Sequence, residues 1–446
     1  MRLLFLLTFC ISTLNIFAQE LSGKFDGGFY AGEYIYLFER EAKREIIMDS
    51  AKISVDGSFS FGDKRYGMGL YNLQWKTKHN KIEIIINPTE SLIRFQIPNN
   101  NLKKYEVLSS NENRVYKAYK DQKRIRDKKL RKLSNAKKTA GMDATKTAEI
   151  NNRINEIKKG FFESVSGFIN ENPDSFFTKL ILASDADNKK AKHLYFSDLD
   201  FSDESFIRTN VLAKRYQEYI KLFSGGNLDG YLNCIDDILE KAKVNQKVYE
   251  FSAYNLLEGF HNTGGLTEVS NYIMDEYIFG DDCGGWEVSE LLHARGNRIR
   301  SIQLDNIPPD LSLKNTGGKY SKLSEVTSKN KYTLLLFWAS WCHKCENQMN
   351  EITKIYDLYN KDGFEIYAVS LDEHKASWNK AITEKGMNWI NVCDFGSWQS
   401  ENVRNYSVSK TPSFFLLDSD RKIIALPRNS NELTKVLNGL KNLGAL

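Results

Sequence analysis

One junction constrains this chain more than any other feature. Tyr332 to Trp338 is a nearly continuous apolar run, the pattern of a strand buried on both faces. Four residues later stands Cys342-His343-Lys344-Cys345, and from Glu346 to Asn360 the residues Met349, Ile352, Ile355, Tyr356 and Tyr359 recur at helical spacing. Two cysteines, three positions apart, therefore sit where a central strand hands over to a helix. Downstream, Phe364 to Leu371 reads as the next strand, and Trp378, Ile382 and Lys385 lie on a helix. Ser413 to Leu417 and Lys422 to Ala425 read as a hairpin turned at Asp418-Ser419-Asp420-Arg421, and Asn431 to Leu443 as a last helix. Strands and helices in this alternation predict an α/β sheet covered by helices, from about residue 301 to 446.

The placement of the cysteine pair points to redox chemistry. A thiolate is the attacking species in disulfide exchange. A helix N-terminus offers unpaired N–H groups and partial positive charge, which favour an anion. Cys342 at that end is expected to ionise more easily than a free thiol, helped by the basic side chains of His343 and Lys344. Cys345, one turn inward, is expected to be buried and less acidic. That asymmetry suits a nucleophile, Cys342, followed by a resolving thiol, Cys345. The same spacing occurs in zinc sites, but a zinc site needs more ligands, and no second C-x-x-C or paired histidine cluster accompanies this one. No metal is expected, and no cofactor beyond a redox-active Cys342–Cys345 disulfide.

Phe337-Trp338-Ala339-Ser340-Trp341-Cys342-His343-Lys344-Cys345 resembles the active-site segment of the thioredoxin superfamily. Further segments are similar to its exported branch, the TlpA/ResA-type thiol–disulfide oxidoreductases. These are Pro309-Asp310, then Val369-Ser370-Leu371-Asp372 followed by Trp378, then Thr411-Pro412-Ser413-Phe414-Phe415-Leu416-Leu417-Asp418. The resemblance covers about a third of the chain. It implies that Pro412 is cis and lies beside Cys342, that the Thr411 backbone pairs with bound substrate, and that Trp341 shields the cysteines. It also implies protein thiol or disulfide substrates and an upstream redox partner. Two positions depart from that branch: Gln348 and Asn350 stand where Glu and Pro are usual. Gln348 does not ionise, and Leu336 occupies the place of thioredoxin's buried Asp, so no general base is assigned. The basic His343-Lys344 pair, in place of Gly-Pro, leads to the expectation of a couple more oxidising than thioredoxin's.

The rest of the 446-residue chain divides by composition. Met1-Arg2 and the apolar stretch from Leu3 to Phe17, ending at Ala18 before Gln19, read as a cleaved signal peptide over residues 1–18. Phe9 stands where a lipid-anchored leader would need a small residue before Cys10. Export to the periplasm of a Gram-negative bacterium is thus the expected location. Residues 19–101 carry short alternating runs with turn signals such as Asp56-Gly57, predicting a small all-β, sandwich-like domain. Residues 102–300 read as an α-helical domain. Its segment 111–160 holds 16 Lys and Arg against 6 Asp and Glu, predicting a long solvated helix or helical hairpin with a loop at Asn135 to Thr147. A membrane-surface or acidic-partner contact fits that basic stretch; nucleic acid does not fit an exported protein, and no transmembrane span is expected after the leader. Asp49-Ser50-Ala51 with Asp56-Gly57-Ser58-Phe59, and Asn172-Pro173-Asp174-Ser175 with Tyr195 to Asp203, resemble the β and helical domains that precede thioredoxin domains in exported Bacteroidota-type proteins.

Of the remaining thiols, Cys393 reads as a buried free thiol on a strand, and Cys234 and Cys283 as either a pair or two separate thiols. Two rival readings stand beside the enzyme. One is a partner-docking protein with a vestigial thioredoxin domain, against which the retained cysteines and Pro412 argue. The other is a peroxidase of peroxiredoxin type, which wants Thr where this chain has Ala339.

Overall fold

The computed structural model describes residues 19–26, 32–41, 44–77, 80–141, 143–184, 191–261, 266–280 and 286–446. The expected signal peptide, Cys10 and Cys283 lie outside them. The chain divides into two compact units, residues 1–252 and 253–446.

The first unit opens with eight strands in two four-stranded sheets. One sheet has the order β4-β1-β7-β8, from Ser58–Lys64, Gln19–Phe25, Leu92–Ile97 and Glu106–Ser109. The other has the order β3-β2-β5-β6, from Arg44–Lys52, Tyr34–Glu41, Gly69–Trp75 and Lys81–Ile86. Alternate residues of both, among them Leu21, Phe25, Leu37, Phe59, Leu73, Trp75, Ile84 and Phe95, share one buried core. The strand region extends beyond the expected limit at 101, because β8 pairs antiparallel with β7. Four residues, two of them exposed, give too short an alternation to be read from sequence.

Two long helices follow, α1 (Asn111–Ala140) and α2 (Ala144–Glu171). The expected loop at 135–147 shrinks to three residues. Nothing breaks the helix until Gly141, which takes a positive φ of 56°, and Asp143 starts α2 by accepting from the Lys146 N–H at 3.0 Å. The base of α1 is locked to the sheets: Asn113 exchanges hydrogen bonds with both backbone groups of Ile85. The buried Glu112 carboxylate accepts from the N–H groups of Phe176 and Phe177, at the start of α3 (Phe176–Ser184). α4 (Val211–Phe223), α5 (Leu228–Ala242) and the first part of α6 (Gln246–His261) complete the unit. Inside it the fully buried Arg215 is held by Asp198 at 3.0 Å and by the Tyr195 carbonyl. Cys234 is buried and free, and burial pushes its thiol up to about 11.

The second unit begins within α6, ahead of the expected boundary at 301, and takes in α7 (Thr267–Tyr272) and α8 (Glu290–Ser301). One reason is Arg295, which pairs with Glu258 and donates to Ser407 Oγ at 2.7 Å. After the small hairpin β9 (Ser312–Lys314) and β10 (Tyr320–Lys322) and the short α9 (Leu323–Thr327) comes the main sheet. Its order is β13-β12-β11-β14-β15, from Ile390–Cys393, Phe364–Ser370, Tyr332–Trp338, Ser413–Asp418 and Ile423–Ala425. The first three strands are parallel, and β14 and β15 antiparallel. The central position of β11 explains its apolar run. Leu334, Leu336 and Trp338 enter one core, with α10 (His343–Tyr359) and α13 (Ser430–Asn442). Leu335 and Phe337 enter the other, with Leu323, Val326 and Tyr406. α11 (Lys375–Glu384) and α12 (Glu401–Asn405) complete the domain. No helix among the described residues is long and apolar enough to cross a membrane.

Candidate active site

The sheet ends β11 at Trp338, and the chain needs four residues to turn into α10. That turn is held by a buried carboxylate. Asp372, 1% exposed just past β12, accepts from the Ser340 N–H at 3.0 Å, from the Ser340 hydroxyl, and from Ser370 Oγ at 2.6 Å. The Leu371 N–H donates to the Trp338 carbonyl at 2.8 Å. Cys342 then becomes the N-cap of α10: its backbone is extended, and its Sγ accepts from the Cys345 N–H at 3.3 Å. A cysteine here does the work that Ser or Asp does at ordinary helix starts.

The two thiols differ as the spacing predicts. Both are free. Burial works against ionisation of Cys342. Hydrogen bonds with the side chains of Cys345 and Thr411 and with the N–H groups of Cys345 and Lys344 outweigh it, and hold the thiol below its ordinary range. Cys345 is 1% exposed, packed in the core that holds Leu336 and Met349. Burial first, and its hydrogen bond to Cys342 second, push it up to about 12. The Cys342 Sγ also lies 3.4 Å from the Thr411 carbonyl oxygen, and the peptide between the buried Thr411 and Pro412 is cis. Residues 69 apart in sequence thus meet at the sulfur.

The other residues singled out by the sequence divide. Trp341 is 54% exposed beside Cys342, and its ring lies 6.3 Å from that of Trp398. His343 and Lys344 face solvent; His343 Nδ1 is 3.5 Å from Glu346, which also pairs with Lys385 at 3.2 Å. Charges so exposed are screened, so hydrogen bonding, more than the basic pair, stabilises the thiolate. Gln348 does not reach the sulfurs by any hydrogen bond among the described residues. Its Oε1 accepts from the Ser430 N–H at 2.8 Å, satisfying a free donor at the start of α13. Sequence reasoning missed Asp372 and Trp398 as parts of the site. Asp372 had a signal, a carboxylate just past a buried parallel strand, on the edge where α/β sites form; Trp398 had none. No group of three or more His, Cys, Asp or Glu among the described residues is placed to hold a metal.

Residues 330–423, which span β11 through the cis peptide to β15, match the family model described as thioredoxin-like. Through this domain the chain belongs to the thioredoxin superfamily. It is similar to the thiol-disulfide oxidoreductase ResA of Geobacillus thermodenitrificans, with 29% identity over 123 residues, covering 28% of this chain and 68% of that protein. Against ResA of Geobacillus kaustophilus the identity is 28% over 144 residues, 32% of this chain and 80% of that one. Among solved structures, a thiol-disulfide oxidoreductase from Bacteroides fragilis is 32% identical, covering 30% of this chain and 99% of that chain, with a TM-score of 0.29. The domain is of the thiol–disulfide oxidoreductase kind.

Proposed function

We propose that the chain is an exported, periplasmic oxidoreductase that exchanges disulfides with protein substrates through Cys342 and Cys345. The observation that carries this reading is the asymmetry of the pair: a partly exposed thiol lowered at a helix start, against a buried one pushed up to about 12. In the reducing direction the Cys342 thiolate attacks one sulfur of a substrate disulfide. The S–S bond breaks, a mixed disulfide forms, and the second substrate sulfur leaves as a thiolate. Cys345 loses its proton and attacks Cys342 Sγ. An intrachain disulfide forms, and the substrate departs as a dithiol, having gained two electrons, one proton from Cys345 and a second from the solvent that took up the proton Cys342 lost on ionising. The departing thiolate is the base for Cys345, since Gln348 does not ionise and Leu336 is apolar. The opposite direction reverses each step. Trp341 and the Thr411-Pro412 segment flank Cys342 and form the surface that a substrate strand meets, with His343 and Lys344 at its rim.

A lowered nucleophile stabilises the reduced form, which moves the couple in the oxidising direction from that of an ordinary dithiol; the proposed couple lies above thioredoxin's, about −270 mV. Titration of the full chain in glutathione buffers, with Cys342→Ser as the blank, tests both statements. A reversible two-electron couple above that value is expected. A couple at or below it overturns the oxidising reading. The absence of any couple overturns the enzymatic reading in favour of a docking protein with a vestigial domain.

A further inference from the structure

The α1–α2 arm carries features that neither the fold nor the thiol pair uses. Its helices have 30 and 28 residues, yet no described residue between Lys117 and Ser164 is buried. The half-buried Leu130, Leu133, Ile150, Ile154 and Ile157 recur at three- and four-residue spacing and make the seam between the two helices. Residues 111–160 have a net charge of +10 in a chain of net +5, so the remainder carries −5. Ion pairs on α1 join Lys117, Arg124 and Arg126 to Asp121 and Asp127. Among the described residues, no ion pair engages the exposed Lys128, Lys129, Arg131, Lys132 or Lys138.

Beside these free cations the seam opens into a groove of about 300 Å³. Ile125, Ile157 and Phe161 are its apolar lining, and the Arg126 guanidinium stacks 4.1 Å over the Phe161 ring. Gly160 keeps it open: no atom lies within 4 Å of where a Cβ would stand. Ile125, 46% exposed, and Lys129 form the α1 wall, which Lys132 continues one turn on. Glu156 is the one carboxylate in the lining.

We propose that this arm docks an acidic, amphipathic segment of a partner protein. One apolar side chain of the segment seats in the groove against Ile157 and Phe161, and its carboxylates meet Lys129 and Lys132. The charge surplus selects the acidic partner, and the groove selects a protein over a lipid surface. A membrane-bound helix needs a continuous apolar face. Here the apolar residues face each other in the seam or line the groove, and Phe162 stands out singly. Helix-in-groove recognition of this kind reads anchors a turn apart.

The test uses the full chain and three probes: a labelled Glu-rich helical peptide with one leucine stripe, polyglutamate of equal charge, and phosphatidylglycerol vesicles. Fluorescence anisotropy follows the two peptides, and co-sedimentation follows the vesicles. The leucine-bearing peptide is expected to bind at least tenfold more tightly than polyglutamate. Lys129→Glu with Lys132→Glu should weaken both at least tenfold. Gly160→Leu, filling the groove, should erase the preference for leucine while leaving polyglutamate unaffected. Circular dichroism confirms that α2 persists, as leucine for a helix-interior glycine favours. If it does not persist, Ile125→Gln, a charge-neutral polar change on the exposed rim, carries the same expectation. Disulfide exchange with glutathione should be unchanged in every variant. Equal affinity for the two peptides, or a preference that survives both groove substitutions, overturns the proposal. So do vesicles bound more tightly than the leucine peptide.

Discussion

Cys342 and Cys393 stand at the same end of the same sheet, four residues past β11 and at the last residue of β13. Each sulfur accepts an amide N–H at 3.3 Å, Cys342 from Cys345 and Cys393 from Phe395. Their acidities nevertheless move in opposite directions. Cys342 is lowered. Cys393, 2% exposed, is pushed up to about 11 by burial above all. Its Sγ lies 3.4 and 3.6 Å from the carbonyls of Ser370 and Asp372, much as Cys342 Sγ lies 3.4 Å from that of Thr411, so the carbonyl contacts do not set the two apart. One amide hydrogen bond therefore does not make a reactive thiol. A helix start supplying a second N–H, from Lys344, together with partial exposure, makes the difference.

The largest expected effect separates the two loops by activity. Cys342→Ser should abolish exchange with a protein disulfide, a loss of about a thousandfold or more, whereas Cys393→Ser should leave the rate within about twofold; a stopped-flow or turbidity assay reads both. Next comes reactivity. In the reduced protein at pH 7, iodoacetamide should modify Cys342 about a hundredfold faster than Cys393, with peptide mass spectrometry assigning the sites. Comparable rates would break the comparison.

The pH dependence of stability follows from the same shifts. Cys393 and Cys345 are raised, so the unfolded chain loses their protons first. The reduced protein should lose stability as pH climbs from about 8.5, the free-thiol value, toward 11 and 12, their folded values. Cys342, being lowered, works the other way over a lower range: its contribution is present above the ordinary thiol value and fades as pH falls through its folded value. Urea melts at stepped pH check this, and Cys393→Ala should flatten the upper decline. A smaller effect tests the scaffold of the reactive loop. Asp372→Asn should cost about 1.5–3 kcal/mol, because bonds to a buried carboxylate are lost, and should lower the Cys342 alkylation rate with it. The smallest concerns Gln348. Gln348→Ala should cost about 1 kcal/mol through the unsatisfied Ser430 N–H, with the Cys342 alkylation profile unmoved. A moved profile would return Gln348 to the chemistry.

The sequence made the redox domain legible where burial is two-sided. The β11 run and the β14–β15 hairpin fall within a residue of their expected limits, and α10 within three, because no other arrangement buries those side chains. The position of Cys342 at a helix start followed from that junction alone. What stayed hidden depends on long-range geometry. Gln348 caps a helix 82 residues away, Asp372 ties its strand end to the loop of another strand, and Trp398 meets Trp341 across 57 positions that carry no pattern. The tight α1–α2 turn was masked by polar residues that favour loops as readily as a solvated helix. The grouping of α7 and α8 with the C-terminal domain rests in part on one buried arginine, Arg295, a residue type that composition places on surfaces.

The most direct test of the account is a trapping experiment with the full chain. Cys345→Ser, incubated with a disulfide-bonded protein substrate, is expected to accumulate a mixed disulfide through Cys342, released by dithiothreitol and absent in Cys342→Ser. If the trapped bond instead runs through Cys393 or Cys234, or if no mixed disulfide forms while the domain remains folded, the assignment of Cys342 as nucleophile and Cys345 as resolving thiol is contradicted.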